Sequence, residues 1–174
     1  MLDFPALFAS QLAASLAMLH ACIEKCPEVH WDTPIAKYPF WQVSYHALCF
    51  GDCYSSLGND LWKPDTSPGG FHPAGREELS QESPSRRFTP QELLRYAAFV
   101  QLEAPARVRA ETAETLTRPS GFPWLPFNRA ELHTYNTRHV QHHVGQLSAS
   151  LRRVGVEVPW VKASTVSPLP TAQV

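Results

Sequence analysis

Four stretches of the chain carry apolar residues at helical spacing, separated by segments in which the spacing breaks down. In the first, from Phe4 to about Cys26, Leu12, Leu16, Leu19 and Ile23 recur every three or four positions, and alanines at 6, 9, 13, 14, 17 and 21 favour helix. Pro5 suits the first turn and Pro27 ends the segment. A second stretch, from about Trp41 to Leu61, sets Val43, Phe50, Leu57 and Leu61 on one side, with Cys53 between them. His46 falls inside that same stripe, which predicts a core-facing histidine that needs a partner. The third opens on Thr89-Pro90-Gln91-Glu92, a capping-box signature, and runs through Leu93, Tyr96, Phe99 and Val100 to Pro105, which predicts a kink or a break. Asn128 with Glu131 repeats the capping pattern and opens the fourth, which Gly155 should close.

The connections are uneven. Residues 28–40 hold Pro34 and Pro39 with Trp31, Tyr38 and Phe40, an ordered link with a helix start at its end. Residues 62–88 are rich in Pro, Gly and Ser and form one long loop, because neither flank is large enough to fold alone. A loop of this kind often borders a functional site. Its His72, Arg86 and Arg87 are read as solvated surface, with contact to a ligand as the alternative. Ser120 to Phe127 is a short aromatic connection, and Pro159-Trp160 is placed back on the bundle. The pattern predicts an all-α four-helix bundle with long irregular connections. It forms a single domain over residues 1–160, followed by a loose, Pro-containing tail over residues 161–174.

Composition narrows the function classes. A net charge of −1, with fifteen scattered Lys and Arg, provides no basic stripe for nucleic acid. No continuous apolar run approaches the eighteen or so residues that span a bilayer, and the N-terminus lacks a basic region followed by an apolar block. The expectation is a cytoplasmic protein that contacts neither membrane nor nucleic acid. Cys22, Cys26, Cys49 and Cys53 form two pairs at i, i+4 and are read as small buried residues rather than disulfides. A four-cysteine zinc site would need a different spacing.

The richest chemistry lies in Arg138 to Leu147 (RHVQHHVGQL), which holds three of the eight histidines. His139 and His143 stand four apart, so their side chains stack on adjacent turns of one helix face. On a helical wheel His143 lies about 45° and His139 about 85° from the core direction set by Leu132, Val140, Val144, Leu147, Leu151 and Val154. His142 points outward at about 145°. His133 points inward but sits roughly 9 Å before His139 along the axis, and is read as a core histidine. His46 from a facing helix completes three neutral nitrogen ligands and leaves coordination positions open, the pattern of a catalytic metal site. Such a set suits Zn, Ni, Fe or Mn. Tyr135 and Asn136, one turn before His139, are candidates to orient it or touch a ligand, against plainer roles as packing and a polar flank. Gln146, one turn after His143, is a candidate hydrogen-bond partner for it. Cys49 and Cys53 are read as buried apolar positions rather than catalytic thiols, and His20 as a core histidine satisfied by hydrogen bonding.

Two segments, Trp41 to Tyr54 (WQVSYHALCFGDCY) and Arg138 to Leu147, resemble the signature segments of the DinB/YfiT-like superfamily. The resemblance extends to helix order and loop placement over nearly all of residues 1–160. It implies a four-helix bundle, often a homodimer, with metal ligands that match His46, His139 and His143, and with His142 as the adjacent non-ligating histidine. It also implies a metal-dependent enzyme that uses a low-molecular-weight thiol or water to attack a small electrophile, as an S-transferase or a hydrolase. The alternative is a non-catalytic metal-binding or stress-response bundle acting through a partner. Surplus aromatics in the connections (Trp31, Phe40, Trp62, Phe122, Trp124, Phe127) suit either a dimer interface or caps on a single bundle.

Overall fold

A computed structural model describes residues 2–73 and 85–163. Among these residues the elements are helix α1 (Phe4–Lys25), a 3-10 turn (Glu28–His30), a two-residue-stranded hairpin of β1 (Pro34–Ile35) and β2 (Tyr38–Pro39), and helices α2 (Phe40–Cys53), α3 (Pro90–Arg109), α4 (Ala113–Thr117) and α5 (Arg129–Arg153). The chain is all-α, and the four long helices form the bundle. Around it the order is α1, α3, α2, α5, since α1 and α2 each pack against both α3 and α5 and meet across the diagonal.

The helix ends follow from local chemistry. Asp3 caps α1 by accepting from the Ala6 amide. Thr89 and Glu92 form the reciprocal capping box of α3, and Arg86 extends it by pairing with Glu92 at 2.5 Å. Asn128 caps α5 through the Glu131 amide. At the far end Gly155 takes φ 79°, and the Val156 amide reaches the Leu151 carbonyl at 3.0 Å, a Schellman stop.

Four expectations need correction. Helix α2 ends at Cys53, not Leu61, because Ser55 and Ser56 turn their hydroxyls onto the carbonyls of Asp52 (2.6 Å) and Cys53 (2.7 Å). The chain then turns so that Gly58 abuts Gly121. A Cβ on Gly121 would stand 2.6 Å from the Leu57 carbonyl oxygen, and its φ of 85° also favours glycine. Leu57 and Leu61 are therefore exposed loop residues rather than core. Of the two outcomes expected at Pro105, division of α3 does not occur, since the helix continues to Arg109 with Pro105 buried. Val154 and Trp160 are exposed, so the segment after α5 packs through Val156, Val158 and Val161 instead. The short α4, capped by Thr112, carries no apolar periodicity long enough to have been read from the sequence. Finally, α1 is long and apolar enough in mean hydropathy to cross a bilayer, which a search for continuous apolar runs overlooks. In the fold it is a core helix, with Ala9, Leu12, Leu16, Leu19, Cys22 and Ile23 buried against its neighbours.

The start of α5 is fixed by a buried arginine. Arg129 donates to Glu111, to the Ser120 carbonyl (3.2 Å) and to the Ser56 carbonyl (3.1 Å), so one side chain ties three connections together. His133 Nε2 meets the same Glu111 oxygen at 3.1 Å, which places His133 in the core as expected. Burial pushes the Glu111 carboxyl up, but its contacts with His133 and Arg129 outweigh this and hold it down to about 2. A depressed carboxylate stabilises the fold above its unfolded value near 4.5 and loses that contribution as pH falls towards 2. Glu111→Gln should therefore cost about 3–5 kcal/mol at neutral pH, because it strands Arg129. In melting curves recorded across pH, the gap between wild type and variant should close below pH 4. A gap that is constant with pH would contradict this assignment.

Candidate metal centre

Two helices supply the site. His46 lies midway along α2, and His139 and His143 lie on successive turns of α5. The two helices approach closely because position 51 leaves room for nothing larger than a methyl. A Cβ there would lie 3.4 Å from Val140 of α5, 3.4 Å from Leu16 of α1 and 4.0 Å from Val100 of α3. One turn towards the start of α5, fully buried Asn136 donates to the Gly51 carbonyl at 3.1 Å. Asn136 is thus a clamp between α2 and α5 rather than a polar flank. His46 is half-buried and, with Phe50, lies on the least buried side of a helix otherwise enclosed all round. It is not at the centre of a core stripe. Its neighbours on that stripe were assigned to a longer helix than the one that forms.

The imidazoles converge through their Nε2 atoms. His139 Nε2 lies 3.2 Å from His46 Nε2 and 3.2 Å from His143 Nε2. Ligands about 2.0–2.1 Å from a tetrahedral ion stand roughly 3.3 Å apart, which matches both separations. A hydrogen-bond network accounts for the cluster less well. Gln146 Oε1 accepts from His143 Nδ1 at 2.9 Å, so the His143 Nε2 presents a lone pair. The His139 Nε2 has one proton or one lone pair to share between two partners, and its buried Nδ1 has no hydrogen-bond partner among the described residues. A shared cation satisfies all three Nε2 atoms at once. Among the described residues the cluster consists of these three histidines, without a carboxylate or thiol.

The surroundings favour the neutral, ligating form of His139 and His143. Burial, followed by the neighbouring His143, His46 and His142, pushes His139 down to about 3. Burial also lowers His143, against the opposing effect of Gln146. His142 is exposed, as the wheel predicted. Phe50 sets its edge on His46 (4.8 Å between centroids) and on His139 (5.5 Å), while Tyr135 lies nearly parallel to His139 at 6.4 Å. Tyr54 packs edge-on to Tyr135 and accepts from Trp124 Nε1 at 3.4 Å. Burial holds the Tyr54 phenol up to about 12. From the sequence, Phe50 is only an apolar helix position and Trp124 only a surplus connection aromatic, and neither is placed at the site, nor is Tyr54. Phe50 and Tyr54 could have been found from their spacing of one and two turns after His46, whereas Trp124 arrives through the loop contact at Gly121.

Other candidate residues lie elsewhere. His20 bonds Gln101 across α1 and α3 at 2.7 Å. None of the four buried cysteines forms a disulfide, and burial raises Cys22 to about 12 and Cys26 to about 11, in keeping with their reading as small apolar positions. His72 is buried rather than solvated, because Tyr45, Trp62 and Tyr96 enclose it. Arg86 reaches the Gly70 carbonyl and Glu92, and Arg87 pairs with Asp32 at the surface.

A model of the DinB superfamily matches residues 11–147, a span that runs from the first turns of α1 through both histidine-bearing helices. The chain belongs to the DinB superfamily. Neither the curated proteins nor the solved structures include a significant match to it. The DinB match covers all three converging histidines together with Gly51 and Asn136, the residues that hold their helices in contact.

The closeness at Gly51 gives a test of how the DinB bundle builds its centre. Gly51→Ala should be tolerated, since the added methyl meets its neighbours at 3.4 Å. Gly51→Leu should destabilise by about 1–3 kcal/mol and weaken metal uptake. Thermal melts alongside metal titrations check both. Full metal affinity in Gly51→Leu would show that the helix contact does not set the site.

Proposed function

We propose that this DinB protein is a metal-dependent enzyme acting on a small electrophile, with the three-histidine cluster as its centre. The observation that carries the reading is the convergence of three Nε2 atoms with, among the described residues, no fourth protein ligand. A structural metal site closes its coordination sphere with protein groups, whereas an open one accepts water or substrate. When bound, a divalent transition metal such as Zn, Ni, Fe or Mn would supply Lewis-acid activation of a low-molecular-weight thiol or of water. Three uncharged ligands leave the ion's charge uncompensated, which favours an anionic nucleophile.

The chain's own residues do the rest. Gln146 holds the His143 ring in the tautomer that offers Nε2, and Tyr135 packs along His139. Phe50 and Tyr54 form an aromatic wall beside the histidines, backed by Trp124 on Tyr54, that suits a hydrophobic electrophile and limits water. Tyr54, buried and held protonated, packs against His139 and cannot serve as a base near neutral pH.

Wild type should take up about one equivalent of one of these metals. His46→Ala and His139→Ala should lose it while keeping their helical circular dichroism. Metal-loaded wild type should transfer a low-molecular-weight thiol to an electrophile such as 1-chloro-2,4-dinitrobenzene, or hydrolyse an activated ester, with both variants at background. Protein that takes up none of the four metals would defeat the proposal. Protein that binds metal yet turns over neither substrate class would favour the non-catalytic, partner-binding reading.

A further inference from the structure

The other side of α2 carries a second polar cluster that the three-histidine centre does not use. Asp52 faces α3, where its carboxylate accepts from Arg107 (2.6 Å), Trp62 Nε1 (2.9 Å) and the Tyr96 hydroxyl (3.3 Å). Next to it the Tyr45 hydroxyl meets His72 Nδ1 at 3.0 Å. With Tyr45 donating, His72 carries its proton on Nε2. Burial first, against the pull of Asp52 and Asp65, pushes His72 down to about 4, so it stays a neutral donor. Of these groups Asp52, Trp62, His72 and Arg107 line a cavity of about 550 Å³ between α2, α3 and the loop after α2. That volume falls within the range of small-molecule sites.

The character of the cavity selects its ligand. Its mouth is apolar. Leu57 (64%), Leu61 (63%) and Phe99 (38%) are large hydrophobic side chains left exposed there, and Phe71 lines the wall. Its charge is unevenly committed. Asp52 is saturated by three donors, and Asp65 is turned back onto the Ser67 amide and hydroxyl. Arg107, by contrast, spends only Nη1 on hydrogen bonds, to Asp52 and Ser55. Among the described residues its Nε and Nη2 donate no hydrogen bond, and Nη2 has only a distant ion pair with Glu103 at 3.9 Å. The guanidinium lies 6.0 Å from the Phe99 ring, so cationic and aromatic surfaces adjoin. Lys63 adds a second cation.

We infer that this chamber is a second binding site, for a small carboxylate bearing an aromatic or short alkyl group. The carboxylate meets the unused donors of Arg107 and the Lys63 ammonium, and the apolar group covers Leu57, Leu61 and Phe99. The site does not depend on the metal centre, which faces α5 instead.

The test uses full-length His46→Ala/His139→Ala protein, so that no carboxylate can bind through a metal. Phenylacetate and hexanoate are the probes, with phenylacetamide and hexanamide as uncharged controls. Binding is followed by NMR shifts of the Trp62 indole N–H and the Phe99 amide. Both acids should bind saturably and move these signals, and the amides should bind roughly tenfold more weakly or worse. Leu61→Glu, which places a negative charge at the exposed mouth, should abolish binding and leave the melting temperature unchanged. Lys63→Ala should weaken the acids and not the amides. The inference is overturned if no probe saturates, if the amides match the acids, or if Leu61→Glu binds as tightly as the parent.

Discussion

The bundle depends on a small residue near the end of α2. A Cβ at Gly51 would stand in van der Waals contact with Leu16, Val140 and Val100, one residue from each of the other three long helices. Glycine in a helix interior costs about 0.5–1 kcal/mol relative to alanine. An alanine methyl would still fit here in ordinary contact, so the crossing excludes only larger side chains. The Gly51 carbonyl also receives the Asn136 amide, so the contact is directional as well as tight. The three imidazoles meet because His46 precedes Gly51 on α2, while His139 and His143 bracket Val140 on α5. Side chains larger than alanine at this crossing would separate the helices and leave the histidines too far apart to share an ion.

Around that point α2 faces two ways. Towards α5 it presents His46 and Phe50, which join neutral rings with no acid among them. Towards α3 it presents Tyr45, Cys49 and Asp52, which join His72, Tyr96 and Arg107 in a network where charge is largely balanced. One helix thereby separates two kinds of chemistry, a soft-donor cluster and a charged, aromatic chamber. The Arg129–Glu111 pair closes the same end of the bundle by tying the start of α5 to the turn after α2.

Much of this was legible in the sequence, though not always for the right reason. Caps at Thr89 and Asn128 and the stop at Gly155 were readable because each depends on a few adjacent residues. The i, i+4 histidines on α5 were readable because helical spacing alone puts them together. His46 was identified through a stripe including Leu57 and Leu61, yet those leucines lie beyond the helix and are exposed. The family resemblance supported the same residue independently of that stripe. What could not be read depends on chain segments that meet only in three dimensions. The turn after Cys53 is fixed by Gly121 from a distant loop, and His72 is buried by Trp62 and Tyr96, which no local pattern reveals. Asn136 looked like a helix flank because its partner, a backbone carbonyl, leaves no mark in the sequence.

The central claim is that three Nε2 atoms share one ion, and anomalous diffraction from crystals grown with zinc or nickel tests it most directly. The account predicts one strong anomalous peak about 2.0–2.2 Å from Nε2 of His46, His139 and His143 together, with remaining coordination positions open to solvent. A peak ligated through other residues, or none at this cluster in metal-replete crystals, would contradict it.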